Sequence, residues 1–142
     1  MEIKVKYHLD ELERIKKIRV GDWIDLRSAE KVIMSPGSYR LISLGISVEL
    51  PCGYEAHIAP RSSTFINFGI IMVNSPGIID ETYCGNNDIW YFSAYALNTC
   101  NIKVNDRICQ FRIVEKQQLA YITEVDFLEN DDRGGFGSTG IK

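Results

Sequence analysis

Apolar and polar positions along this chain alternate in short runs with turn residues between them. Runs rich in β-branched and aromatic residues occur at Ile3 to Tyr7, Tyr39 to Ser43, Ile46 to Leu50, Tyr54 to Ala59, Ile70 to Val73, Ile89 to Ala96, Arg107 to Val114 and Leu119 to Val125. Between them sit Ser35-Pro36-Gly37, Pro51-Cys52-Gly53, Ser75-Pro76-Gly77, Gly85-Asn86-Asn87-Asp88 and Asn105-Asp106, the residues that turns require. Such spacing predicts an all-β sandwich or barrel. Two stretches break the pattern. Leu9 to Lys17 places Leu9, Leu12 and Ile15 on one helical stripe, and Ser62 or Ser63 is placed to cap a single turn that runs through Phe68 and closes at Gly69. From Glu129 onward the apolar pattern stops, so the chain divides into a β domain over 1–128 and a mobile tail over 129–142.

Composition narrows the class. At 142 residues the chain is long enough for one domain with its own core. Cys52, Cys84, Cys100 and Cys109 form no C-x-x-C pair and no apolar leader opens the chain, so they read as reduced thiols in a cytoplasmic protein. No apolar run approaches the ~20 residues that span a bilayer. A net charge of −3 argues against a polyanion-binding surface, so any phosphate site is local. With only His8 and His57 and no Cys/His cluster, a tightly held zinc is not expected. Mg²⁺, which keeps its own waters, needs few protein ligands.

Five short segments carry candidate chemistry. Asp25-Leu26-Arg27-Ser28-Ala29 brings a carboxylate into a strand, equally a solvated acid at an edge. Pro60-Arg61-Ser62-Ser63 sets a guanidinium and two hydroxyls at a helix start, a place that suits an anion or simply a cap. Asn74 to Gly85 is the densest, a hairpin shaped by Pro76, Gly77 and Gly85 with Asp80 and Tyr83 inside it. In Asp106 to Phe111 the alternation turns Arg107 and Cys109 to one face and Gln110 to the other, and Arg107 is either functional or the partner of a buried acid. The tail Arg133-Gly134-Gly135-Phe136-Gly137-Ser138-Thr139-Gly140 offers a phosphate fork, an aromatic plate and two hydroxyls on a backbone that can approach a ligand closely. A flexible Gly/Ser tail is the plainer reading of the same residues.

In register, the five segments resemble the homotrimeric deoxyuridine triphosphate nucleotidohydrolases, the dUTPases, and particularly the forms of Gram-positive bacteria and their phages. The likeness runs from about Gly21 to Gly140 and includes Gly-x-Ile-Asp-x-x-Tyr-x-Gly as Gly77 to Gly85 and Gly-Gly-Phe-Gly-Ser-Thr-Gly as Gly134 to Gly140. It implies a jelly-roll-like β-barrel and hydrolysis of dUTP to dUMP and pyrophosphate with Mg²⁺, a dUTP diphosphatase that keeps uracil out of DNA and supplies dUMP for dTMP synthesis. It also implies three sites shared between subunits: one chain gives the hairpin, a neighbour gives the first, second and fourth segments, and the third chain gives the tail.

The resemblance further assigns roles. Asp80 would be the base that activates water for attack on the α-phosphorus. Tyr83 would lie against the deoxyribose, and the hairpin main chain around Gly77 and Ile79, with Asn74 at its base, would pair with uracil. Ser62 would donate beside the scissile bond with Ser63 next to it, and Gln110 would hold an α-phosphate oxygen or a Mg²⁺ water. Asp25 would support the metal through water, although Asp22 competes for that place. Arg61 and Arg107 would hold carboxylates and the phosphate channel. Arg133 would fork onto the γ-phosphate, Phe136 would cover the uracil, and Gly137, Ser138 and Thr139 would complete the phosphate shell.

Departures from the family pattern are Asp22-Trp23-Ile24 before Asp25, Cys109 where small Ala is usual, a longer connection after Gly85, and a tail without two residues often present between Arg-Gly and Gly-Phe. A dCTP deaminase shares the implied fold and an Arg-Ser-Ser segment, but Asp80, Tyr83 and Phe136 point away from it. A regulatory protein partner, as phage enzymes of this type have, is a second possible role.

Overall fold

The computed structural model describes residues 1–16 and 19–142. In chain order these form β1 (Lys4–Tyr7), β2 (Ile24–Arg27), β3 (Val32–Met34), β4 (Tyr39–Ser43), β5 (Ile46–Glu49), β6 (Tyr54–Pro60), α1 (Thr64–Phe68), β7 (Ile70–Met72), β8 (Gly77–Ile79), β9 (Tyr91–Ala96), β10 (Cys100–Ile102) and β11 (Arg107–Glu115). All pairings are antiparallel. A four-stranded sheet runs β2-β11-β6-β8, a three-stranded sheet runs β4-β9-β7, and β1-β5 and β10-β3 are two-stranded. The all-β, jelly-roll-like expectation holds. Among the described residues no helix is long and apolar enough to cross a membrane.

Alternation becomes burial most clearly in β6. Along β6, Ala56 and Ile58 point into the core while Glu55 and His57 face outward, where they pair at 2.6 Å. Facing sheets meet around Ile42, Trp90, Phe92 and Phe111, all at or below 1 % exposure. Trp90 and Phe111 pack edge to face with centroids 5.3 Å apart. Burial of side chains this large contributes about 1.5–3 kcal/mol each. Cys100 and Cys109 lie in this core as free thiols, and burial holds both protonated.

One irregularity matters for the site. Arg107 pairs with Arg27 and Cys109 with the adjacent Leu26, so β11 carries an extra residue there, a bulge. The expected alternation of Arg107 with Cys109 is therefore corrected. Ile108 and Cys109 are both buried, and Arg107 is left on the outer side with Gln110 and Asp25.

The predicted turn at Ser62 to Gly69 forms as α1, and Gly69 closes it at φ 65°. Neither serine caps it through its side chain. Thr64 does the fastening instead: its Oγ1 accepts from the Arg61 amide and donates to the Ile108 carbonyl, each at 2.8 Å.

The helix expected over Leu9 to Lys17 is not formed by residues 9–16, and Lys17 lies outside the described residues. Its amides find tertiary acceptors rather than carbonyls four residues back. Glu13 donates to Asn105 Oδ1 and Ile15 to Tyr7 Oη, both at 2.8 Å, while Leu12 is buried. Asn105 is the knot. At φ 74° it receives the Glu13 amide, donates Nδ2 to the Glu11 carbonyl and gives its own amide to Ser28.

The strand expected at Leu119 to Val125 is also absent. Beyond β11 the last backbone bond to the barrel is from the Lys116 amide to the Gly53 carbonyl, and everything from 116 to 142 is exposed, Ile122 at 98 %. An isolated chain offers this segment no strand edge to pair with. Where it leaves the barrel, Lys116 Nζ is bonded to Glu81, and the second Glu81 oxygen accepts from the Gly53 amide at 2.6 Å.

Two expectations follow from these junctions. Asn105→Ala removes both side-chain bonds and strains the left-handed backbone, so it should lower unfolding free energy by about 1–3 kcal/mol. Asn105→Gly keeps the backbone conformation and should lose less, as chemical denaturation of the two variants will show. Glu81→Gln should speed hydrogen exchange at the Gly53 and Lys116 amides. The Lys116 bond holds the Glu81 carboxyl below its ordinary 4.5, and the same bond raises the Lys116 ammonium above 10.5. Protection is thus lost as pH falls through the depressed Glu81 value or rises through the raised Lys116 value, and is complete between 4.5 and 10.5.

Candidate active site

The segment after β8 turns sharply and lines a cavity of about 710 Å³ whose walls include Asn74, Asp80, Thr82, Tyr83, Tyr91 and Ser93. Gly77, buried at the start of β8, packs closely on Met72: a Cβ there would start 2.7 Å from Met72 Cε, so the methionine end would have to move. Tyr83 donates its hydroxyl to the Ile89 carbonyl at 2.9 Å, which fixes the ring in the cavity wall. Burial, then the nearby Asp88 and Tyr91, raise the phenol further from ionisation. Ser93 donates to the Tyr39 hydroxyl at 3.0 Å, the one hydroxyl pair in a mostly apolar wall.

Asp80 stands exposed at the rim of this cavity. Its Oδ1 accepts from Thr82 Oγ1 at 2.6 Å and from the Thr82 amide at 2.8 Å. Those two bonds, the hydroxyl first, hold its carboxyl below the usual carboxylate range, with a smaller contribution from Lys116.

A second cluster lies at the opposite edge of the four-stranded sheet. Asp25 Oδ1 meets Arg61 Nε at 2.9 Å and Oδ2 meets Arg107 Nη1 at 3.2 Å. Gln110, opposite Asp25 across the ladder, donates Nε2 to the Pro60 carbonyl at 3.1 Å. Ser62 is exposed beside them on the turn that Thr64 fastens, and Ser63 Oγ lies 3.5 Å from Arg61 Nη1. Asp22 is elsewhere, paired with Arg112 at 3.0 Å. For a cation this edge supplies one carboxylate already shared by two arginines, and the described residues contain no group of three His, Cys, Asp or Glu side chains that would cage a metal. The donors fit an ion that arrives with oxygen ligands of its own.

The two clusters cannot meet within one chain. From β2 to β8 is three strand spacings of about 4.8 Å, and from the Asp25 rung to the rung just past Ile79 is four residues at about 3.4 Å, so the backbone positions of Asp25 and Asp80 stand about 20 Å apart. The tail joins neither. Arg133, Phe136, Gly137, Ser138 and Thr139 are exposed, and Phe136 takes a positive φ of 51° within the Gly-rich turns.

Sequence reasoning passed over Thr64, Thr82, Glu81, Lys116 and the Tyr39–Ser93 pair. A hydroxyl two residues after a carboxylate in a turn is a detectable pattern. The others depend on contacts distant in the chain and left no local signal.

A family model described as dUTPase matches residues 23–140. Over its whole length the chain is 57 % identical to the SPbeta prophage-derived deoxyuridine 5'-triphosphate nucleotidohydrolase of Bacillus subtilis, covering all of that protein. It is 41 % identical over 118 residues to a deoxyuridine 5'-triphosphate nucleotidohydrolase of Nautilia profundicola, covering 82 % of each chain. In fold it resembles a mutant Staphylococcus bacteriophage 80alpha dUTPase with dUpNHpp, at TM-score 0.80 and 20 % identity over 99 % of both chains. The phage phi11 dUTPase of S. aureus, whose structure holds a structural Mg(II) ion, is similar at TM-score 0.77 and 17 % identity, covering 92 % of this chain and all of that one. With a hairpin acid over an apolar cavity, an arginine-clamped acid on the far sheet edge, and this breadth of match, the chain belongs to the dUTPase family.

Proposed function

We propose that this protein hydrolyses dUTP to dUMP and pyrophosphate in a homotrimer whose sites are each assembled from three chains. The observation that carries this reading is the separation of Asp80 from Ser62, Gln110 and the Asp25–Arg61–Arg107 cluster. A general base must come within hydrogen-bond reach of the water it activates. Two half-sites about 20 Å apart on one sheet satisfy that only when the hairpin of one chain faces the β2–β11 edge of another. Exposed Leu119, Tyr121, Ile122, Val125, Phe127 and Leu128 supply the apolar surface by which the 117–128 segment would pack on a neighbour and carry the lid over 129–142 to a third position.

In the assembled site the cavity beside Tyr83 receives deoxyuridine, with the ring on the sugar and the hairpin backbone around Asn74, Gly77 and Ile79 facing the base. Asp80 takes a proton from water as its oxygen bonds to the α-phosphorus, and the α–β bridging P–O bond breaks with its electrons to pyrophosphate. Ser62 donates to the bridging region where that charge develops. Gln110 and Asp25 would hold Mg²⁺ through its water shell, and the ion would supply positive charge to neutralise the triphosphate. Arg133 forks onto the γ-phosphate, Ser138, Thr139 and Gly137 complete the phosphate shell, and Phe136 closes the base pocket. The dCTP deaminase alternative is set aside, since the family matched is that of the dUTPases. A regulatory role has one support: the 80alpha dUTPase, similar in fold, controls transfer of virulence genes. Capture of a partner by an inactive variant would test it.

Pyrophosphate release measured across the common nucleoside triphosphates, with and without Mg²⁺, should single out dUTP. Equal turnover of UTP would overturn the sugar assignment. Asp80→Asn should bind dUTP while turnover falls by about 10²–10⁴-fold, the range of lost general base catalysis. Removal of 133–142 should leave a folded assembly without activity. Mixed assemblies of that truncated chain with full-length Asp80→Asn chains should regain part of the activity. Mixed trimers, verified by native mass spectrometry, that stay inactive would show that each tail closes over its own chain.

A further inference from the structure

Asp80 is exposed at the end of a turn, a poor place for a carboxylate that has to meet a water at one orientation. A free carboxylate at such a position rotates, and either oxygen then faces solvent. Here both protein donors fall on the same atom. The Thr82 hydroxyl and the Thr82 amide converge on Oδ1 at 2.6 and 2.8 Å, and among the described residues no donor reaches Oδ2. The amide bond is available to any residue at this position, whereas the hydroxyl belongs to Thr or Ser alone.

We propose that Thr82 is a positioning residue for the hydrolytic base: it anchors Oδ1 and turns Oδ2, as the single open oxygen, toward the water. This rests on the reading of Asp80 as the base. The other charged and titratable groups around Asp80 do not duplicate the anchor. Glu81 is held by Lys116 and Gly53, Lys116 is spent on Glu81, Tyr83 donates to the Ile89 carbonyl, Tyr39 receives from Ser93, and Tyr91 and Asp88 reach Asp80 with no hydrogen bond. The same hydroxyl holds the Asp80 carboxyl below the usual carboxylate range by bonding its charged form.

The test compares Thr82→Val, which keeps the shape and the amide, with Thr82→Ser, which restores the hydroxyl. Thr82→Val should lower kcat about tenfold, the worth of one net hydrogen bond, with KM for dUTP little changed. The acid limb of its kcat–pH profile should move to higher pH, because a bond that favours the charged carboxylate is gone. Thr82→Ser should return both kcat and the acid limb to wild type. An effect on packing alone would lower the melting temperature without moving the acid limb. A second readout needs no turnover: the Asp80 carboxyl, followed by ¹³C NMR titration, should rise in Thr82→Val and not in Thr82→Ser. Unchanged kcat and an unchanged Asp80 titration in Thr82→Val would overturn the proposal, as would Thr82→Ser as impaired as Thr82→Val. Asp80→Asn assayed alongside separates the two levels. Turnover retained by that variant removes the base assignment itself, while its loss beside a fully active Thr82→Val removes only the role of Thr82.

Discussion

The distance fixed by one antiparallel sheet governs the rest of the molecule. The β2-β11-β6-β8 ladder holds the Asp25 cluster at one edge and the Asp80 hairpin beyond the other. Backbone hydrogen bonds set that span in steps of about 4.8 Å per strand, and no side-chain rotation closes it. A chain built this way keeps its two candidate clusters apart. On the proposed reading, association would be part of the chemistry rather than an addition to it, and the exposed apolar segment after β11 is surface available for it.

Within each half-site a few local bonds do the aiming. The β11 bulge turns Arg107 outward, so that Asp25 is gripped by two guanidinium groups from β11 and the β6–α1 turn. Thr64 stitches that turn to Ile108 and so fixes where Ser62 points. On the other side Thr82 restrains Asp80, and Glu81 ties the same turn to Gly53 and to Lys116 at the root of the tail. Neighbouring carboxylates thus have separate duties: one faces the cavity, the other fastens the departing chain to the hairpin.

The connection after Gly85 also has a place in this frame. Gly85 and Asp88 close a small turn, the Asn86 carbonyl accepts from Lys6 and Ser47, and Ile89 receives the Tyr83 hydroxyl. This segment therefore braces the cavity wall against β1 and β5. Tyr83 keeps its position through the Ile89 carbonyl of this connection.

By itself the sequence determined most of the barrel and the identity of the chemistry. The runs at Tyr39 to Ser43, Tyr54 to Ala59 and Arg107 to Val114 became strands, and the alternation in Tyr54 to Ala59 puts Ala56 and Ile58 in the core. Gly69 ended its turn because a left-handed backbone asks for glycine locally. The five motifs were legible as residue types in order. Only tertiary structure decided the rest. Leu9 to Lys16 has a helical stripe, yet Asn105 and Tyr7 take its amides, and short segments yield to such competition because an isolated turn is costly to nucleate. Leu119 to Val125 has strand propensity but no partner edge, and a strand is a property of a pair. Asp25 rather than Asp22 meets Arg61 and Arg107, because the bulge and the ladder register, invisible in any one segment, set which acid reaches them.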